Sequence, residues 1–161
     1  MSIVMAKQKT ETTVPVFANR APWYELVLRG KRQVKTLGFN WKYRGPILLY
    51  TSKDRTDDWG LYEYKASHRD LKSLKMADIP KGCIVGYATV VDVVPQDDFE
   101  LDAKYQPFYV KDDVLYNSLG QSHVVIIENA KRFKTPVPFT PKKGCVRVFR
   151  GPANLLKRAT V

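Results

Sequence analysis

Apolar positions in this chain fall into short runs separated by glycine, proline and charged residues. Ile47-Leu48-Leu49-Tyr50-Thr51-Ser52 is short and almost continuously apolar, the pattern of a strand covered on both faces. Cys83 to Val94 is a longer run of the same kind, and Gly86 in its interior predicts a bulge or a barrel bend. His123 to Glu128 and Gly144 to Phe149 predict two more strands, and Lys31 to Thr36 one with polar residues along a side. Helical spacing appears near the start, where Trp23, Leu26 and Val27 fall at i, i+3 and i+4. Pro22 suits the first turn there, Glu25 and Arg29 pair at i, i+4, and Gly30 supplies a left-handed stop. Residues 67–76 predict a second short helix with Leu71 and Leu74 inward and Arg69, Lys72 and Lys75 outward.

The remaining stretches read as connections. Residues 53–66 form a charged loop bearing Trp59, Tyr62 and Tyr64, and Asp78-Ile79-Pro80-Lys81-Gly82 is a turn. Residues 95–120 are an acidic excursion with room for one short helix, and residues 136–141 a proline-punctuated loop. Residues 1–19 are polar and aperiodic, a loosely ordered tail. Gly151-Pro152 opens a short basic helix, so the chain divides into a tail (1–19), one domain (20–150) and a basic C-terminal segment (151–161). Short strands joined by loops and a few short helices point to an α+β chain built on a small β-barrel.

Composition narrows the class. The 161 residues are 44% hydrophobic and 27% charged, which excludes a disordered or collagen-like chain. No apolar run approaches the roughly 18 residues of a membrane helix, so no membrane partner is expected. Met1 to Lys7 does not read as a secretory leader, and the expected location is cytoplasmic. Cys83 and Cys145 cannot build a disulfide framework; both open apolar strands and read as small buried hydrophobes. Asp92, Asp97 and Asp98 match no metal-loop spacing, His68 and His123 have no nucleophile placed beside them, and no phosphate-cradling glycine loop occurs. No metal and no cofactor are expected.

Charge changes the picture most. Twenty-seven basic residues against sixteen acidic give a net +11. Residues 29–55 carry eight of these cations against Asp54 alone, and residues 131–161 carry nine with no acid. Residues 92–113 run the other way, with seven acids against Lys104 and Lys111. Blocks of this kind predict one basic face and one acidic lobe. A concentrated positive field draws polyanions, because each neutralised phosphate releases condensed counterions. The acidic segment 92–113 leaves room for a basic protein partner.

In order and spacing, several pieces resemble the ASCH domain of the PUA-like superfamily. These are Pro22-Trp23, the stretch Gly30 to Lys35, Tyr43-Arg44-Gly45-Pro46 with Ile47 to Lys53, Gly82 to Ala88, Glu128 to Phe133 with Pro136-Val137-Pro138, and Gly144 to Val148. The resemblance covers about residues 20–150. It implies a PUA-like barrel of five or six strands flanked by short helices, with a cleft between barrel and first helix proposed to hold RNA or a nucleotide. Transcription-coactivator domains, reported nucleases and a small amidohydrolase of acetylated cytidine belong to this family, so fold transfers better than activity. The family signature Gly-x-Lys-x-x-Glu-x-Arg is altered: Arg32 stands at the lysine position, Lys35 at the glutamate and Leu37 at the arginine. The amidohydrolase branch works through lysine, threonine and glutamate. Its first two positions fall on Arg32 and Lys35, and the third has no counterpart that spacing identifies. Lysine can be tuned toward a base, whereas arginine stays protonated, which favours binding over catalysis.

The expected function is therefore binding of RNA, ahead of DNA, or of another single-stranded nucleic acid in a basic cleft. Trp23, Lys31, Arg32, Lys35, Tyr43, Arg44, Ser52, Lys53 and Arg147 are its candidate contacts. Each has a plainer alternative: Trp23 as a core residue, Gly45-Pro46 after Tyr43 and Arg44 as turn chemistry, Ser52, Lys53 and Arg147 as solvated surface. The rival is a small hydrolase of a modified nucleoside or of RNA, with Lys35, Thr36 and Ser52 as weak catalytic candidates and Lys31 as a further polar residue.

Overall fold

The computed structural model describes residues 12–112, 115, 120–141 and 148–161. The apolar runs become strands, most of them longer than the sequence pattern suggests: β1 (Thr13–Ala21), β2 (Val34–Leu37), β3 (Gly45–Thr56), β4 (Cys83–Pro95), β5 (His123–Pro138) and β6 (Val148–Pro152). They make one six-stranded sheet in the order β2-β5-β4-β3-β1-β6. Helices α1 (Trp23–Leu28), α2 (Asp58–Ser67), α3 (Gln96–Leu101) and α4 (Gln106–Lys111) flank it, as the α+β expectation requires. Among the described residues no helix is long and apolar enough to cross a membrane.

The sheet is strongly curled without closing. β2 and β1 stand first and fifth in the order, four spacings apart, or roughly 19 Å in a flat sheet. A single lysine side chain cannot bridge that distance, yet the Lys35 ammonium on β2 lies 4.8 Å from the centre of the Phe17 ring on β1. Leu37 and Phe17 also share one core cluster with Ile47, Leu49, Val90 and Ile127. Bulges supply the bend: the pairing register shifts once between β3 and β4 and three times between β4 and β5. Gly86 sits at one such shift, as its place in the run predicts, and a Cβ there would overlap the Lys131 carbonyl oxygen.

Several boundaries move, each for a physical reason. Residues 13–19, expected as tail, belong to β1, which pairs with β3 on one side and β6 on the other and buries Val16 and Phe17 completely. Residues 53–66 are not a loop, because β3 runs on to Thr56. Asp57 then caps α2 by accepting from the Gly60 amide, and Leu61 and Tyr64 face the core. Residues 67–76 make short 3₁₀ turns at Arg69–Leu71 and Met76–Asp78 instead of a helix, although Leu71 and Leu74 do point inward. β5 continues through Pro136 and Pro138 because β2 covers only His123 to Ile126. Beyond that point the same side of β5 bonds to the C-terminal residues at Arg132 to Lys134, so Pro136 and Pro138 lie past the last ladder bond described on that side. Residues 151 and 152 end β6, and the C-terminal segment is a 3₁₀ turn, Ala153–Lys157, whose Leu155 and Leu156 pack on the outer face of the sheet. Cys83 is buried, which pushes its thiol pKa up; Cys145 lies outside the described residues.

One ionic clamp fixes α1 to the sheet. Glu25, only 5% exposed, accepts Arg132 Nη1 at 2.9 Å and Nη2 at 2.7 Å from β5. Arg29 Nε adds a bond of 2.6 Å from the end of α1. Burial pushes the Glu25 carboxyl up, but the hydrogen bonds and charges of Arg132 and Arg29 outweigh it and hold the group below its ordinary value. A depressed carboxyl stabilises the fold above the unfolded-state value, about 4.3, and that contribution drains away as pH falls through the lower folded value. Glu25→Gln is expected to cost on the order of 2 kcal/mol near neutral pH and to flatten the acid limb of stability. Chemical denaturation of both proteins from about pH 6 downward checks this; parallel curves would remove the clamp from the account.

Candidate nucleic-acid interface

The space beside Trp23, where a cleft is expected, is filled. Trp23 meets Tyr64 edge-on at 6.0 Å, and the Arg32 guanidinium lies 4.6 Å over its ring. On a third side its Cη2 atom would lie 2.8 Å from any Cβ built on Gly60. Trp23 is thus half-buried packing between α1 and α2. Arg32 precedes β2 instead of lying on it, and it is 5% exposed. Its Nε donates to the Val34 carbonyl at 2.8 Å and its Nη1 to the Tyr64 hydroxyl at 3.2 Å. Tyr64 in turn donates to buried Asp112 at 2.5 Å, and burial raises its hydroxyl far above the ordinary tyrosine value. Lys31 leaves the same turn for solvent and pairs with Asp70 at 2.6 Å, which pulls the Asp70 carboxyl below its usual range. Two of the expected phosphate contacts are therefore committed to other partners.

A different set of candidates gathers at the seam of the curl. Lys35 projects from β2 toward the inner face, over Phe17. The Phe17 ring meets Trp41 at 5.0 Å, and Trp41 stacks on Tyr43 at 5.3 Å with 27° between the planes. Both of those rings are partly exposed on the loop between β2 and β3. Arg44 secures the loop by donating to the Trp41 and Tyr43 carbonyls, each at 3.0 Å, and reaches Asp92 at 3.3 Å. Tyr43 folds back on the Gly45-Pro46 turn and donates to the Pro46 carbonyl at 2.6 Å. Burial raises the Tyr43 hydroxyl, while the positive charge of Arg150 on β6 opposes the shift. Exposed Arg150, from the second basic stretch, is near enough for its charge to act on the Tyr43 hydroxyl, and it also holds Thr13.

The other candidates lie elsewhere. Lys35 and Thr36 are consecutive in β2 and point to opposite faces, so they do not form one catalytic group. Ser52 is half-buried and Lys53 exposed beside Gly82, both in the far half of β3. Arg147 lies outside the described residues. His68 stacks on Tyr64 at 5.8 Å, and the His123 ring lies 2.8 Å from the Ser122 hydroxyl. The acids form a shallow groove of Asp92, Asp98 and Asp102 with Lys104 and Tyr105; among the described residues no group of side chains is arranged to hold a metal ion. Sequence reasoning passed over Trp41 and Arg150 as single candidates, and took Lys42 only as one of the cations of residues 29–55. Trp41 announces itself only as an aromatic two residues before Tyr43, and nothing in the sequence ties Arg150 to that loop.

Among solved structures, the chain is similar to ASCH from Zymomonas mobilis, at 9% identity over 86% of this chain and 85% of that one, with a TM-score of 0.46. A tyrosine-to-phenylalanine variant of the same protein gives 7% identity over 86% and 88%, and a serine-to-alanine variant 9% over 86% and 86%, both with a TM-score of 0.45. No family model and no curated protein matches the sequence.

Gly45 holds the seam together, because its φ is +130° and a Cβ would lie 3.0 Å from the Tyr43 hydroxyl oxygen. Gly45→Ala is expected to cost roughly 1–3 kcal/mol and to displace the Tyr43 ring. Near-ultraviolet circular dichroism and a denaturation midpoint report both effects; an unchanged aromatic signal with unchanged stability would contradict this packing.

Proposed function

We propose that the chain binds RNA, or another single-stranded nucleic acid, at the seam between β2 and β1. The observation that carries this reading is the Trp41–Tyr43 stack, flanked by Lys35, Lys42 and Arg150. An aromatic pair accepts any base face, and base stacking on one aromatic is worth about 1–3 kcal/mol. Lysines and arginines around it would follow the phosphates, with Arg44 holding the loop in place. RNA is favoured because unpaired, splayed-out bases are its usual points of recognition. Asp92, which adjoins the seam through its pair with Arg44, also lines the groove with Asp98 and Asp102.

Affinity for a short unstructured RNA is expected to fall linearly with salt on logarithmic axes. Trp41→Ala should weaken binding by about 5- to 160-fold for every sequence, and Lys35→Ala should reduce the salt slope by about one unit. Lys31→Ala should leave both nearly unchanged, since Lys31 is held by Asp70. Fluorescence anisotropy across a salt series measures all three, and a flat titration would exclude the proposal.

A further inference from the structure

Helix α2 presents a second pair of rings, Trp59 and Tyr62, which are 68% and 62% exposed. They lie at i, i+3 and stack on each other at 5.2 Å with 25° between the planes. That geometry nearly repeats the 5.3 Å and 27° of the Trp41–Tyr43 stack. The helix under them is fixed: Asp57 caps it and is held by Arg20, while Leu61 and Tyr64 on the other side are buried. Trp59 and Tyr62 take no part in that core, so packing does not account for two large rings in solvent.

We propose that the Trp59–Tyr62 stack is a second base-stacking platform for the same single strand that lies on the seam. The inference rests on the seam reading and adds to it the length of strand engaged. A nucleobase suits the rings better than a protein surface does. Their neighbours on the helix are Asp58, Glu63, Lys65 and Ala66, so the patch lacks the surrounding apolar contacts that exclude water at protein hot spots. A π-face needs no such rim. The field of a +11 chain favours a polyanion as the approaching macromolecule, and exposed Lys53 and Arg55 lie in the strand that joins the two stacks. Asp54 and Asp58 are also exposed there, so the rings and not a dense basic patch must supply the local affinity. β3 begins beside Tyr43 and ends beside α2, and its 12 residues separate the stacks by up to roughly 35 Å. An oligomer of a few nucleotides reaches one stack, and a longer one can reach both.

The test compares oligouridylates of about 4 and about 16 nucleotides, the range of single-strand site sizes in small barrels. Trp59→Ala/Tyr62→Ala is expected to bind the short oligomer like the wild type and the long one at least about fivefold more weakly, with Trp59→Phe/Tyr62→Phe restoring much of the loss. Both side chains are exposed, and an unchanged unfolding midpoint confirms that the fold is intact. If Trp41→Ala weakens the long oligomer while the alanine pair on α2 does not, the second platform is wrong and the seam stands. Failure of the wild type to bind either length removes both. A protein captured by wild type and lost from the alanine pair, with long-oligomer affinity unchanged, would assign the patch to that protein and overturn the proposal.

Discussion

Curvature of the sheet governs the rest of the molecule. The first and fifth strands share one core, so the bend between them must be tight, and bulges in β3, β4 and β5 provide it. Gly86 lets two backbones approach more closely than any side chain would permit. With β2 carried round to β1, Lys35 comes to lie on Phe17, and the loop carrying Trp41 and Tyr43 closes over the gap. α1 is then clamped from outside by Glu25 and Arg132, which are 107 residues apart. In a flatter sheet the same side chains would be strangers.

Net charge is a poor guide to which cations face a ligand. Arg29 and Arg132 serve Glu25, Lys31 serves Asp70, and Arg32 is enclosed with Tyr64. Desolvation decides the arginine assignments, because a guanidinium removed from water needs acceptors at once and finds them in carbonyls, hydroxyls and carboxylates of the protein itself. An exposed ammonium keeps its hydration and remains available at little cost. Several cations of the basic stretches near α1 are thus occupied by partners within the protein, while exposed ones such as Lys42, Lys53, Arg55 and Arg150 add to the positive field at the surface.

Element types were legible in the sequence wherever a run had one strong pattern. The buried runs at Ile47 and Cys83, the helix at Trp23 and the bulge at Gly86 all appear where the pattern puts them. Failures cluster where tertiary contacts override local signals. β1 has a proline and polar ends, and it becomes a strand because β3 and β6 supply ladder partners from elsewhere in the chain. α2 was hidden by its outward aromatics, which break the usual division between an apolar and a polar face. Tyr43, Lys35 and Arg44 were readable as site candidates because charge and aromaticity sit close in sequence. Placement beside Arg150 was not, since it depends on how far the sheet bends.

Where a curled sheet stops short of closure it leaves two strand edges, and unpaired edges invite unwanted pairing. Both edge strands are short, four residues in β2 and five in β6, which limits the template they offer. Among the described residues, the Trp41 and Tyr43 rings and the long Lys35 side chain lie at the seam between β2 and β1. Such a cover sets side chains, and not backbone alone, beside the edge strand. On the reading proposed above, a base would stack on these rings and a phosphate would meet these cations without any ladder bond being formed. The groups that stand against strand addition at the seam are therefore the same ones proposed to hold a nucleic-acid strand, and the two demands are compatible because neither needs a ladder bond from β2.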